Sequence, residues 1–245
     1  MELHSSHYEV DGESFTGYFA DGSGGRRVPG ILVAHDGIGL TEHTKDRARA
    51  LARLGYVAFA MDIYGEGNPP MERAKLIVKG LRTDRAKLRR RAGRALEVLR
   101  AHPGVDAQKL AAIGYCFGGT AMIELARNGA ALACVVGFHP GLDLPTLGDA
   151  SAIKAKLLVC VGDKDPIVSA AHRAAFQAEM ADANVDWQLS LYGGAGHSFT
   201  NPEIDAFCIP GFNYNATAQQ RSWQAMRALL DEVFEPREQV RPTAV

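Results

Sequence analysis

Short, continuous apolar runs alternate along this chain with longer stretches whose apolar residues recur at helical spacing. Ile31-Leu32-Val33-Ala34-His35 is one such run and Tyr56-Val57-Ala58-Phe59-Ala60-Met61 the next. Further runs lie at 111–113, 132–137, 156–161 and 187–191. Between them, residues 44–54, 71–80, 83–101, 169–181 and 216–234 carry the three-to-four-residue period of amphipathic helices. Strands apolar on both faces and separated by helices predict right-handed crossovers and a mostly parallel α/β sheet with helices on both faces. The opening 8–19 differs: it alternates around Asp11-Gly12, which predicts an antiparallel hairpin. With no repeat, low-complexity linker or boundary signal, a single domain over 1–245 is expected, and the polar stretch 235–245 is expected to fray.

Composition adds mainly exclusions. A formal net charge of −1 gives no general reason to expect nucleic acid or an anionic membrane as partner. The basic run from Arg82 to Arg94 is the local exception. It reads either as an anion-binding face or, because Leu81, Leu88, Ala92, Ala95, Leu96 and Leu99 thread it at helical spacing, as the solvated side of an amphipathic helix. No stretch reaches the roughly 20 apolar residues of a membrane span. Met1 to His7 lacks the basic-then-apolar pattern of a secretory signal. Cys116, Cys134, Cys160 and Cys208 are widely spaced, so neither a disulfide framework nor a zinc site is indicated, and a cytoplasmic location is expected. Motifs for metal-dependent or nucleotide-dependent chemistry are missing, so no cofactor is expected.

The chemistry concentrates at Gly114-Tyr115-Cys116-Phe117-Gly118-Gly119, where an apolar run passes into a helical pattern. Glycines two before and two after a single nucleophile are the signature of a nucleophile elbow, a turn so tight that a Cβ at either flanking position collides with backbone. Here the nucleophile is a thiol, set at a helix N-terminus whose partial positive charge favours the thiolate. In an α/β-hydrolase the acid and the base follow the nucleophile in that order, each past a strand end. The loop Gly162-Asp163-Lys164-Asp165-Pro166 offers two carboxylates, and Gly196-His197-Ser198 offers the imidazole.

Taken together, the chain resembles the dienelactone hydrolase family, cysteine hydrolases of the α/β-hydrolase fold. The resemblance rests on Val33-Ala34-His35-Asp36-Gly37, Asp62-Ile63-Tyr64-Gly65, the elbow at Cys116, Gly162-x-x-Asp165, and Tyr192-Gly193 with His197-Ser198-Phe199. It implies a Cys116, His197, Asp165 triad that cleaves a lactone or other activated ester, with Asp163 left as a turn residue. It also implies an oxyanion hole made by the backbone N–H groups of Gly37 and Phe117. The partner is then a small-molecule ester or lactone, and the protein a monomer or small homo-oligomer.

Two departures qualify that picture. Where well-studied members carry Glu in contact with the resting thiol, this chain has the shorter Asp36, which either modulates Cys116 or caps a turn beside Gly37. Where members that bind muconolactone-type acids carry an arginine four residues past the histidine, this chain has Asn201, and Arg73 is the candidate for their second arginine. Tyr64, Tyr115, Phe117 and Phe199 are expected to flank the cleft and suggest a neutral or partly aromatic ester. A thioesterase or acyltransferase using the same triad, and a non-catalytic ligand-binding module, are the alternatives.

Overall fold

In the computed structural model, which describes residues 1–143 and 150–234, β1 (His4–Val10) and β2 (Glu13–Asp21) form the expected hairpin. Both turn residues, Asp11 and Gly12, have positive φ (51° and 78°), as a two-residue turn matched to strand twist requires. β2 runs antiparallel to β4 (Val57–Met61), and from there the sheet is parallel. β3 (Val28–Ala34), β5 (Val105–Tyr115), β6 (Cys134–Phe138), β7 (Lys156–Gly162) and β8 (Trp187–Tyr192) complete the order β1-β2-β4-β3-β5-β6-β7-β8.

The central strands read as unbroken apolar runs because helices cover both faces; every residue of β4 and β6 is buried. On one side, α1 (Glu42–Arg53) and α6 (Ala216–Phe234) pack over Ile31, Val33, Ile113 and Val136. On the other, α3 (Arg85–Arg100), α4 (Phe117–Arg127) and α5 (Ala170–Asp182) cover Leu32, Ala112, Val135 and Val159, with α2 (Met71–Thr83) alongside α3. The chain crosses from β3 to β4 on one side and returns to β5 on the other. The C-terminal ends of β3 and β5 therefore sit at the switch point where open α/β sheets form a crevice.

Two expectations change. β5 begins at Val105, before the apolar run, because Asp106, Gln108 and Lys109 occupy a polar, outward-facing start that pairs with β3 across an irregularity at Pro29/Gly30. The basic run is neither a free anion-binding face nor merely solvated. Arg91 is buried, donating to the carbonyls of Ile63 and Tyr64 and pairing with Glu13. Arg85 and Arg89 reach across to the fully buried Glu124 of α4, which also accepts from Arg127. A buried carboxylate needs such partners, and these tie α3 to the helix that carries the elbow. Among the described residues no helix is long and apolar enough to cross a membrane. The expectation for 235–245 falls outside the described residues.

Candidate active site

β5 ends at Tyr115 and α4 starts at Phe117, so the whole reversal falls on Cys116, with φ 50° and ψ −117°. This is a sparsely populated backbone state for a residue with a side chain, held only where its surroundings leave no alternative. Gly114 and Gly118 supply that constraint. A Cβ on Gly114 would overlap the Gly118 backbone, and one on Gly118 would overlap the carbonyls of Ala34 and His35. Strand and helix therefore close on each other, and the sulfur projects over the ends of β3 and β5.

His197 Nε2 lies 3.0 Å from Cys116 Sγ, and His197 Nδ1 lies 2.8 Å from Asp165 Oδ2. The imidazole is held from behind. His197 N donates to the Gly211 carbonyl (2.8 Å), its own carbonyl accepts from Asn213 N, and the Phe212 ring meets it edge-on at 4.7 Å. Asp165 is buried, and its second oxygen accepts from the amides of Ile167 (2.8 Å) and Val168 (3.2 Å). Asp163, by contrast, is exposed and within reach of Lys164. Of the two carboxylates, Asp165 is the one the fold brings to His197. Burial disfavours the charged imidazole, but the Cys116 sulfur and the Asp165 carboxylate outweigh it and push His197 up to about 10. Cys134 and Cys160, inside β6 and β7, behave oppositely: burial pushes both thiols up to about 12, and they serve as packing.

The loop after β3 forms the other lip. Gly37 faces the sulfur, a Cβ built on it lying 3.9 Å from Cys116 Sγ, and Phe117 opens the first turn of α4. Neither amide has a hydrogen-bond acceptor among the described residues. Tyr64 props this loop rather than lining the cleft: its hydroxyl donates to the Gly37 carbonyl at 2.9 Å, and burial raises its pKa. His35 supports the same turn, its Nδ1 donating to the Asp36 carbonyl at 2.7 Å while Nε2 accepts from Ile63 N.

Asp36 lies under this lip, buried, with Oδ1 accepting from Ile38 N (3.0 Å) and Oδ2 from Asn201 Nδ2 (3.3 Å). The turn-capping role is therefore filled, and no hydrogen bond links Asp36 to Cys116 among the described residues. Burial raises its carboxyl pKa, partly offset by the Ile38 amide and nearby His35. Asn201 is occupied on both sides, its Oδ1 capping a 3-10 helix over Pro202–Phe207.

Tyr115 and Phe199 do not flank the cleft. Tyr115 precedes the elbow, so strand alternation turns its ring to the opposite face, where it stacks on Phe138 at 4.8 Å. Phe199 is fully buried on the same side against His139 and Tyr192. The cleft is instead a cavity of about 1070 Å³ walled by Ile38, Met71, Val78, Ile167, Ile204 and Phe212, with Cys116 at its base. Arg73 is engaged by Glu66, away from this lining.

Sequence reasoning missed His139, just past the end of β6. It is buried at φ 43°, and its Nδ1 accepts from Cys116 N at 3.1 Å. The signal was available only through pairing: Tyr115 sits opposite Phe138 in the ladder, so the next residue along β6 arrives beside the elbow.

A thiol, an imidazole and a carboxylate bonded in series, facing two unengaged amides, form the equipment of nucleophilic acyl transfer. Comparison with known proteins agrees in kind. The model of the dienelactone hydrolase family matches residues 15–234. A Bradyrhizobium protein described as a probable 2-oxo-3-(5-oxofuran-2-ylidene)propanoate lactonase is 31% identical over 225 residues, covering 87% of this chain and 88% of its own. Among solved structures, one named m3DLH is 44% identical with a TM-score of 0.91, covering 95% of this chain and 98% of its own. The dienelactone hydrolase-like promiscuous phosphotriesterase P91, from metagenomic libraries, is 42% identical with the same TM-score and coverage.

Proposed function

This chain belongs to the dienelactone hydrolase family of α/β-hydrolases, and we propose that it cleaves carboxylic esters or lactones through an acyl-enzyme on Cys116. The observation that carries this is the unbroken series Cys116 Sγ, His197 Nε2, His197 Nδ1 and Asp165 Oδ2, with links of 3.0 and 2.8 Å, at the base of an apolar cavity.

The steps follow from the geometry. His197 Nε2 takes the thiol proton, and the thiolate attacks the ester carbonyl carbon. The carbonyl electron pair moves to oxygen, where the Gly37 and Phe117 N–H groups meet the negative charge as it develops. Collapse breaks the bond to the leaving oxygen, which receives the proton from His197 Nε2–H. For a lactone the released hydroxyl stays on the same molecule. His197 then removes a proton from water, the hydroxide attacks the thioester, and Cys116 leaves as thiolate. Asp165, accepting from Nδ1–H, keeps the imidazole in the tautomer that presents Nε2 to sulfur and stabilises its charged form. Orientation and raised basicity are the contribution of the protein; the fixed loops provide the first, and the Cys116 sulfur and Asp165 carboxylate beside His197 the second.

The cavity wall favours an uncharged acyl or alcohol group. Asn201, where the family resemblance implies an arginine in members that bind muconolactone-type acids, is committed to Asp36 and to the 3-10 helix. Of the cations along the wall, Lys75 pairs with Glu72, Arg82 with Asp143 and Arg85 with Glu124, which leaves Lys79 as the one lining cation with no ion pair among the described residues. A neutral phosphotriester is the second substrate class, favoured by the 42% identity to a promiscuous phosphotriesterase and by the apolar part of the same cavity, Ile38, Met71, Val78, Ile204 and Phe212. Thioester hydrolysis would use the same acyl-enzyme. A panel of aryl esters, γ-lactones with and without a carboxylate, an aryl phosphotriester and an acyl thioester tests these readings. Neutral aryl esters and lactones are expected to give the highest kcat/KM. Preference for the carboxylate-bearing lactone would overturn the assignment of a neutral substrate, and absence of turnover on the whole panel would count against hydrolysis at Cys116.

A further inference from the structure

We propose that His139 is a positioning residue that locks the backbone of the nucleophile and couples it to the loop carrying His197. The proposal rests on the reading of Cys116 as the attacking group.

The geometry is closed on all sides. Cys116 N–H is shared between the Phe138 carbonyl (2.9 Å) and His139 Nδ1 (3.1 Å). Because that amide can only donate, Nδ1 must present its lone pair, which leaves the proton on Nε2. Nε2 lies 2.8 Å from Thr200 Oγ1, so the imidazole donates there. Thr200 is three residues past His197 and is itself anchored, its carbonyl accepting from His43 Nε2 (3.1 Å) and Arg47 Nη2 (3.0 Å) on α1. One ring therefore joins the elbow, the end of β6 and the histidine loop.

Three features suit His139 to this role. Its backbone is fixed at both ends, with φ at 43° and its N–H donating to the Cys160 carbonyl at 2.7 Å. Its ring is clamped edge-on between Phe199 (5.1 Å) and His197 (5.3 Å). Its neutral form is secured by burial and by the charged or titratable groups around it, His197, His43 and Arg47, each of which opposes a second positive charge; its pKa lies well below the ordinary value. Protonation of Nδ1 would set one donor against another at the Cys116 amide. The ring can thus stay a bare acceptor while the adjacent His197 cycles through its charged form.

The loss of such a strut should appear in the chemical step. Misplacement of a reacting group by about an ångström costs on the order of 10²-fold in rate. His139→Phe keeps the ring shape and removes both hydrogen bonds. It is expected to lower kcat by about 10- to 100-fold with KM within about threefold. Because φ > 0 disfavours Phe, His139→Asn and Thr200→Val carry the test independently of its folding. Asn tolerates the left-handed region, and its Oδ1 stands where Nδ1 stood, so it should recover part of the lost kcat. Thr200→Val removes the far acceptor without touching the strained residue and should lower kcat several-fold. Since Asn does not span to Thr200, adding Thr200→Val to His139→Asn should cost little more.

The decisive readouts are kcat and the rate of Cys116 alkylation by iodoacetamide across pH, both normalised to folded protein. A purely structural His139 would lower the melting temperature and leave both unchanged. Wild-type kcat and a superimposable alkylation profile in folded His139→Asn and Thr200→Val would overturn the proposal. Should Cys116→Ala keep its activity, the reading of the nucleophile fails instead, and the two failures are distinguishable.

Discussion

The two walls of the cleft are built differently. One wall is formed by the elbow, the histidine loop and the acid loop. Its groups are buried and satisfied by hydrogen bonds: His139 and His197 are each 1% exposed, and Asp165 accepts at both oxygens. Three of its residues with side chains, Cys116, His139 and Ser198, hold positive φ. The facing wall, from α2 and the segment beyond the 3-10 helix, is open, with Met71, Val78, Ile209 and Phe212 interspersed with Lys75, Lys79 and Arg82. Ile209 is 37% exposed there, and Val78 is half-buried. Strain persists only where the surroundings over-determine it, so the first wall fixes the reacting atoms. Contacts of the second kind are non-directional, so that wall selects substrates by size and apolarity. Substitutions on the first wall should therefore move kcat, and those on the second KM.

The largest effects belong to the sulfur and the imidazole. Cys116→Ala and His197→Ala should each lower ester turnover by about 10⁴-fold or more, and the double variant should be no worse than either, because members of one catalytic unit are not additive. A Cys116→Ala variant that is folded and retains a tenth of wild-type kcat would break the distinction between the walls. Asp165→Asn should cost about 10²- to 10⁴-fold by releasing the imidazole from its tautomer. Asp163→Asn, on an exposed residue of the same loop, should leave kcat within about twofold. The reverse order in steady-state kinetics would reassign the acid.

Asp36 sharpens the comparison, because it is buried beneath the fixed wall with no hydrogen bond to the sulfur among the described residues. Its folded pKa is raised, so the folded state holds the proton at higher pH than the unfolded chain does, and its ionisation destabilises the fold progressively as pH rises through that range. Asp36→Asn keeps the acceptor for Ile38 N–H and removes the charge, but sets its amide N–H2 against Asn201 Nδ2, a loss that is the same at every pH. Urea unfolding should therefore show the stability of the variant relative to wild type higher at pH 8 than at pH 4. A variant destabilised at pH 8 but matched at pH 4 would show that the carboxylate is needed in its charged form. The smallest effects belong to the open wall. Val78→Ala and Ile209→Ala each remove apolar contact worth on the order of 1 kcal/mol, and should raise KM roughly three- to tenfold with kcat nearly constant. A fall in kcat with unchanged KM would show that this wall, too, positions the reacting atoms.

Much of this was legible along the chain where the governing contacts are local. β3, β4 and β7 read as apolar runs because both faces are covered, and the elbow is visible because Gly114 closes on the backbone of Gly118, four residues on. His197 follows from order along the chain, whereas Asp165 is chosen over Asp163 by the resemblance to the family. What escaped depends on facing or on distant pairing. Tyr115 and Phe199 stand next to or near site residues in sequence, yet their side chains turn to the other side of the sheet. His139 acquires its partner only when β6 pairs with β5, and it stands in no local motif. Glu124 lies within an apolar helix, and its cations Arg85 and Arg89 come from a helix over thirty residues earlier.

The central claim, that Cys116 carries the acyl group, is tested most directly by intact-mass measurement of acid-quenched protein during turnover of p-nitrophenyl butyrate. The expected result is a mass increase of one butyryl group on wild-type protein, mapped by peptide digestion to Cys116, absent from Cys116→Ala and longer-lived in His197→Ala if any forms. Sustained turnover with no adduct on Cys116, or an adduct on another residue that also appears in Cys116→Ala, would contradict the account.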